Sequence, residues 1–274
     1  MSLKLEGTLV LVGCGKMGGA MLEGWLKAGA DPAKIAVLEP RPAPETEALL
    51  AKHKVSLNPA VKNISDAEVV IIAVKPQVMG DVLPPLAPLQ KSKPLILSVA
   101  AGKTIATFEA AFGKDASVIR TIPNTPAAIG RGITAMVGNA HVSPKQMQLA
   151  EALLSSTGEV VKVDKESDID LVTAVSGSGP AYVFLLAEVL AAAGEKAGLS
   201  KEIATQLARA TVSGAGELMR QSGTDAAILR QNVTSPNGTT YAALQVLMAD
   251  DNGMKPLFEK AIAAAAHRSK ELAG

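Results

Sequence analysis

A hexapeptide near the start of the chain, Gly13-Cys14-Gly15-Lys16-Met17-Gly18, has the spacing GxGxxG. In such a loop the first glycine permits a tight turn and the second lets main-chain amides approach a pyrophosphate. The third lets a helix pack closely on the preceding strand. The helix opening there adds unpaired N–H groups and the positive end of its dipole. Further on, Leu38-Glu39-Pro40-Arg41 holds both a carboxylate, the partner of the ribose 2′-hydroxyl in NAD, and an arginine, the partner of the 2′-phosphate in NADP. The choice between NAD(H) and NADP(H) therefore stays open. Two polar segments lead into helices: Ser176-Gly177-Ser178-Gly179-Pro180, and Asn232-Val233-Thr234-Ser235-Pro236-Asn237-Gly238-Thr239-Thr240. Hydroxyls and free amides at a helix start suit a small carboxylate. His53, His141 and His267 stand apart from these loops, and the sequence has no Ser-His-Asp arrangement and no metal-spaced cluster. Ser, Thr, Asn and amides orient a substrate and stabilise charge, but they are poor acids and bases. Hydride transfer to an already electrophilic carbon needs only that orientation, with the cofactor carrying the chemistry.

Positioning these groups requires a sheet. Thr8–Val12, Lys34–Leu38, Glu68–Val74, Pro94–Ala100 and Ser117–Ile122 are short runs rich in Val, Ile and Leu, as strands covered on both faces should be. Helix-length stretches, Met17–Ala28 and Pro44–Lys54, separate the first three, which predicts a mostly parallel sheet. Gly132–Val137 and Glu159–Val163 read as two further strands with a helix, Pro144–Leu154, between them. In open parallel sheets the carboxyl ends of the strands line the ligand crevice. That sets Ala73-Val74-Lys75-Pro76, Val99-Ala100-Ala101-Gly102 and the Arg120–Pro126 segment at the crevice, where Lys75 is either a cofactor contact or a solvated charge. From about Lys165 the strand runs vanish. Alanine-dense helices follow: Pro180–Ala193, Lys201–Met219, Tyr241–Met248 and Pro256–Leu272. Ser200 reads as an N-cap, and Gly194, Gly223 and Gly253 as helix ends. The expected division is 1–165, a dinucleotide-binding domain, and 166–274, an all-helical domain.

Composition narrows the function classes. Hydrophobic residues make up 48% of the 274 and charged residues 19%, enough for a large core. A net charge of +1 gives no field for a nucleic acid partner. The single cysteine, Cys14, forms no intrachain disulfide, which points to a reducing compartment, the cytoplasm. No signal peptide is expected, and the longest apolar stretch, Ala181 to Gly194, is interrupted by Glu188 and too short to span a bilayer.

The segments Ala174-Val175-Ser176-Gly177-Ser178-Gly179-Pro180-Ala181-Tyr182 and Asn232–Thr240 together resemble the signature region of the pyrroline-5-carboxylate reductases. The glycine loop, Ala73–Gln77, Ser98–Gly102 and Pro123–Pro126 fall in that family's order and spacing, so the resemblance covers essentially the whole chain. It implies reduction of 1-pyrroline-5-carboxylate to L-proline by NADPH or NADH. It also implies an α/β Rossmann-type N-terminal domain and an all-α C-terminal dimerisation domain. The subunits would assemble as dimers or rings of dimers, each active site taking its substrate loop from the partner's helices. By the same resemblance, Gly13 to Gly18 hold the pyrophosphate, while Ala73 to Pro76 and Val99 to Ala101 line the adenosine-to-nicotinamide channel. Asn124 lies near the nicotinamide, and Asn58 matches a cofactor-binding asparagine once one residue is gapped. Glu166 falls near the substrate; Ser176, Ser178, Asn232 and Ser235 are candidate substrate contacts from the reading of the two polar segments. Gly238, Thr239 and Thr240 bind its carboxylate, with Thr240 also at the ring nitrogen as the catalytic contact.

The sequence departs from the family at two positions. Asn237 replaces the first of two glycines, though asparagine tolerates the left-handed conformation. Glu39 puts the NADP preference in doubt. Two other readings remain beside the reductase: a β-hydroxyacid or 6-phosphogluconate-type dehydrogenase, and a non-catalytic nucleotide-sensing dimer. The former uses a lysine on the first long helix, and Pro180–Gly194 has none.

Overall fold

The structure is a computed structural model and describes residues 3–273. The chain divides into two compact units. One comprises the residues up to Gly177 together with the tail from Ala266, and the other runs from Ser178 to Ala265.

The first unit is built on an eight-stranded sheet. Its strands are β1 (Thr8–Val12), β2 (Ile35–Leu38), β3 (Ser56–Leu57), β4 (Ala67–Ile72), β5 (Leu95–Ser98), β6 (Ser117–Ile122), β7 (Gly132–Gly138) and β8 (Gly158–Lys162), in the spatial order β3-β2-β1-β4-β5-β6-β7-β8. Neighbours are parallel except β6 and β7. The strand order reverses beside β1, so the crevice at the carboxyl ends of β1 and β4 is where a dinucleotide is expected. Alternate strand residues point to opposite faces. Leu9, Leu11, Val69 and Ile71 enter one buried layer with Trp25, while Val10, Val12, Val70 and Ile72 enter another with Phe108. These runs are apolar on both faces because both are covered. Trp25 is fully buried, and its indole N–H donates to the Leu153 carbonyl at 2.9 Å, so the polar edge of the ring is satisfied.

The helices of this unit are α1 (Lys16–Lys27), α2 (Pro44–His53), α3 (Met79–Val82), α4 (Ile105–Phe112), α5 (Pro144–Leu154) and α6 (Asp168–Val172). Ser143 and Gln146 form a reciprocal capping box at the start of α5. The sequence reading missed β3 and α4. The former is only two residues long, and the latter is a short run whose N-cap residue, Thr104, makes no side-chain cap bond.

The second unit is helical: α7 (Gly179–Lys196), α8 (Lys201–Ser222), α9 (Ala226–Asn232), α10 (Thr239–Leu247) and most of α11 (Met254–Ala273). The Ser200 side chain accepts from Ile203 N–H at 3.3 Å, and Gly223 closes α8 in the left-handed region at φ +61°. Helix α9 was not foreseen; Asp225 caps it by accepting from Ala227 N–H at 2.8 Å. Tyr182 and Phe258 meet edge to face with ring centroids 6.1 Å apart.

The Ser176–Pro180 segment is not the open loop that the sequence suggested. A π-helical turn, Thr173–Gly177, joins α6 to the bend at Ser178, so the backbone is helical almost throughout Asp168–Lys196. At 29 residues this helix is long and apolar enough to cross a membrane by length and composition, well beyond the Ala181–Gly194 stretch read from sequence. It nonetheless carries Asp168, Asp170 and Glu188.

Candidate functional site

β1 delivers the glycine loop to the carboxyl edge of the sheet. Gly13 adopts φ +89°, and a Cβ there would lie 2.7 Å from Val74 Cγ1 and 2.9 Å from the Ala73 carbonyl oxygen. A Cβ on Gly18 would sit 2.2 Å from the Gly13 carbonyl oxygen. Both positions therefore require glycine on steric grounds. Gly15 differs: no atom lies within 4 Å of where its Cβ would be. That open space faces the start of α1, where Gly15 provides no side-chain cap and the first turn holds no acidic residue. Orphan amides, a dipole end and free room together fit a pyrophosphate.

The other loop residues divide by what they touch. The Cys14 thiol is buried, so only its main chain is left to face a ligand, while the half-buried Met17 side chain packs against the same core layer. Lys16 is exposed. Burial, aided by the Glu39 charge, pushes the Cys14 thiol up to about 11.

At the end of β2, Glu39 reaches back to the loop. Its Oε2 accepts from Cys14 N–H at 3.0 Å and its Oε1 from Arg41 N–H at 3.1 Å. Asn58 grips the Glu39 backbone from both sides: Glu39 N–H donates to Asn58 Oδ1 at 2.8 Å, and Asn58 Nδ2 donates to the Glu39 carbonyl at 2.9 Å. Asn58 holds φ +51° to do so. Its carboxamide, expected on the cofactor, thus bears on the site through Glu39. The Arg41 side chain is exposed.

Ala73 to Pro76 leave the end of β4, with Ala73 N–H donating to the Val12 carbonyl at 2.8 Å and Lys75 exposed. Val99 and Ala100 follow β5 with buried side chains, so they offer a channel only main-chain atoms, whereas Ala101 is exposed. Asn124, after β6, accepts from Ile133 N–H through Oδ1 at 3.0 Å and so staples its loop to β7.

Glu166 sits in a polar network that the sequence reading did not foresee. Its Oε1 accepts from Arg120 Nη1 at 3.0 Å and from Ile105 N–H, the first amide of α4, at 2.8 Å. Arg120, only 3% exposed in the middle of β6, also lies 3.9 Å from Asp170 Oδ1. Asp170 in turn accepts from the Ser269 hydroxyl at 2.7 Å. The signal was present: an arginine inside the apolar strand run Ser117–Ile122 must find a buried partner. Ser176 Oγ, in the π-helical turn, is buried without a hydrogen-bond partner among the described residues.

In the helical unit, Asn232 ends α9 rather than opening the loop, and the loop proper begins at Val233. Thr234 Oγ1 donates to the Arg230 carbonyl at 2.6 Å and Gly238 N–H to the Ser235 carbonyl at 3.0 Å. Asn237 does take the left-handed conformation, at φ +59°. Gly238 is the N-cap of α10, without a side-chain cap, and the first turn has no acidic residue. Because Ala242 N–H is the amide that bonds back to the Gly238 carbonyl, the amides of Thr239, Thr240 and Tyr241 precede the helix ladder. They form an anion-receptive end flanked by two hydroxyls.

A family model described as pyrroline-5-carboxylate reductase dimerisation matches residues 166–272, and one described as NADP oxidoreductase, coenzyme F420-dependent, matches residues 8–102. The pyrroline-5-carboxylate reductase of Pseudomonas aeruginosa is 42% identical over 268 residues, 97% of this chain and 96% of that protein. Pyrroline-5-carboxylate reductase 1 of Bacillus subtilis is 36% identical, covering 96% of this chain and 89% of its own. Among solved structures, a pyrroline-5-carboxylate reductase from Coxiella burnetii superposes with a TM-score of 0.90 at 35% identity, covering 98% of this chain and all of that one. The Plasmodium falciparum pyrroline carboxylate reductase with NADP bound superposes with a TM-score of 0.80 at 28% identity, covering 98% and 99%.

Proposed function

The chain belongs to the pyrroline-5-carboxylate reductase family, and we propose that it reduces 1-pyrroline-5-carboxylate to L-proline, the last step of proline biosynthesis. The near-complete coverage by reductases of that name carries this reading. The geometry described above agrees with it: a phosphate cradle on the sheet unit and a carboxylate-sized helix end on the helical unit.

Residues 1–165 hold a nicotinamide dinucleotide, NADP(H) or NAD(H), and residues 166–274 bind substrate and self-associate. Gly13 to Gly18 take the pyrophosphate on the α1 amides. Glu39 and Arg41 face the adenosine ribose, with Asn58 fixing Glu39. The ends of β4 and β5, Ala73 to Pro76 and Val99 to Ala101, line the channel, and Asn124 stands near its nicotinamide end. When bound, the reduced nicotinamide supplies the hydride. The substrate carboxylate rests on the amides of Thr239 and Thr240 beside Gly238, where the helix dipole favours negative charge. The Thr240 hydroxyl hydrogen-bonds at the ring nitrogen. Ser176, Ser178, Asn232, Ser235 and Glu166 complete the substrate surroundings. No residue serves as a dedicated acid; the proton arrives with the substrate or from solvent.

Self-association covers the apolar faces that α7 and α10 present in one subunit, where Phe184 is 67% exposed and Val246 72%. The assembly is a dimer or a ring of dimers. The enzyme works in the cytoplasm, where Cys14 stays reduced. A hydroxyacid dehydrogenase is disfavoured because α7 carries a lysine only at its last residue, Lys196.

The test is oxidation of NADH or NADPH on adding 1-pyrroline-5-carboxylate. Thr240→Ala is expected to lower kcat/KM by about tenfold to a hundredfold, the scale of one lost hydrogen bond to a charged group. Its circular dichroism and dimer mass should match the parent. Unchanged kinetics would remove Thr240 from the site, and a parent chain inert with both cofactors would overturn the reductase reading.

A further inference from the structure

The position after β2 holds an acid and a base side by side, and the structure treats them differently. The Glu39 carboxylate is fixed at both oxygens, by Cys14 N–H at 3.0 Å and by Arg41 N–H at 3.1 Å. Its backbone is fixed on both sides by the Asn58 carboxamide, at 2.8 and 2.9 Å. Asn58 N–H itself donates to the Val37 carbonyl at 2.7 Å, tying this clamp to β2. Two bonds to the carboxylate, two to its backbone and one from Asn58 to β2 thus place Glu39 against the second residue of the glycine loop. Arg41 contributes its main-chain N–H to this arrangement, while its side chain lies exposed.

We propose that Glu39 is the cofactor-specificity residue, making this chain favour NADH over NADPH; the proposal rests on the dinucleotide site described under the proposed function. A carboxylate oxygen that accepts one N–H retains a second acceptor site. Glu39 therefore has capacity for the ribose 2′-hydroxyl, and a hydroxyl supplies the proton such a bond needs. A 2′-phosphate supplies none. It brings negative charge against a carboxylate that accepts one main-chain N–H at each oxygen, on a backbone that Asn58 clamps, and that cannot swing aside without breaking both bonds. The exposed Arg41 side chain, left in water, offsets little of that repulsion.

Isothermal titration of the full-length protein with NADH and with NADPH, without substrate, reads the preference independently of catalysis. NADH is expected to bind at least tenfold tighter than NADPH. In Glu39→Gln, which removes the charge and keeps the length, the ratio should fall to within about threefold, with NADPH binding improved in absolute terms. A thermal melt of both proteins checks that the variant is folded, and the improved NADPH affinity is a gain that misfolding cannot produce. Equal or tighter binding of NADPH by the parent would overturn the proposal, as would a ratio unmoved by Glu39→Gln. Failure of both dinucleotides to bind would overturn the cofactor site itself. A tenfold NADH preference without turnover of 1-pyrroline-5-carboxylate would leave the specificity assignment standing and remove the reductase reading.

Discussion

Two glycines three residues apart make opposite demands, and substituting each by alanine separates folding from binding. At Gly18 the new methyl would lie 2.2 Å from the Gly13 carbonyl oxygen, a backbone atom that cannot rotate away. To restore a contact of about 3.4 Å, α1 must withdraw from β1 by roughly 1 Å, opening the packing around Trp25 and Met21. Overpacking of that kind costs about 1–3 kcal/mol, and more when backbone must move. At about 2–4 °C per kcal/mol for a chain of this size, Gly18→Ala should lower Tm by roughly 5–10 °C. Gly15→Ala meets nothing within 4 Å and has φ −74°, which alanine adopts freely. Its cost is that of a poorer N-cap, about 1 kcal/mol, or roughly 3 °C. The methyl does stand in the space through which a phosphate must reach the α1 amides. Loss of one charge-assisted contact corresponds to about tenfold or more in Kd. Thermal melts paired with NADH and NADPH titration read both quantities. If Gly15→Ala binds both dinucleotides like the parent, the phosphate does not approach at Gly15 and the reading of the loop fails.

Two further outcomes follow from the buried groups. Arg120→Met strips the cation from Glu166 and Asp170 and should cost about 3 kcal/mol, a fall in Tm of roughly 10 °C; a melt within about 2 °C of the parent would show that the network adds nothing. Burial raises Cys14 from 9.0 to about 11, so the unfolded chain loses its thiol proton first as pH climbs. The stabilisation is complete below about pH 9 and is lost progressively towards 11, and Cys14→Ala should flatten that part of a urea-midpoint profile against pH. In the folded protein a disulfide reagent at pH 8 should label Cys14 far more slowly than in urea, and equally fast labelling would contradict its burial.

Most of the sheet was legible because its strands are buried on both faces and read as unbroken Val, Ile and Leu runs; β6 and α5 fall on the residues expected of them. Periodicity could not find β3, whose two residues are exposed, nor α9, whose seven residues have no buried face. The Asp225 cap was the available signal for α9. The Ser176–Pro180 run misled because serine, glycine and proline are turn formers in isolation, whereas here the turn is π-helical and continuous with its neighbours. Residue types at the glycine loop and at Gly238-Thr239-Thr240 were readable locally. The pairing of Glu39 with Asn58, 19 positions apart, and of Arg120 with Glu166, 46 apart, depends on which strand ends become neighbours. Nothing local encodes that.

The return of the chain to its first unit bears on how the protein is made. Ser269 donates to Asp170, and the Leu272 carbonyl lies 3.3 Å from where a Cβ on Gly102 would be, beside the turn that follows β5. Those residues follow every strand of the sheet in chain order, yet domains generally fold in order of emergence. The sheet can assemble during translation, but Asp170 waits for the Ser269 hydroxyl, which follows it by 99 positions. The first unit thus completes its packing only with a segment made after the whole helical unit, and a nascent chain stalled before Ser269 would carry all eight strands with that seam still open.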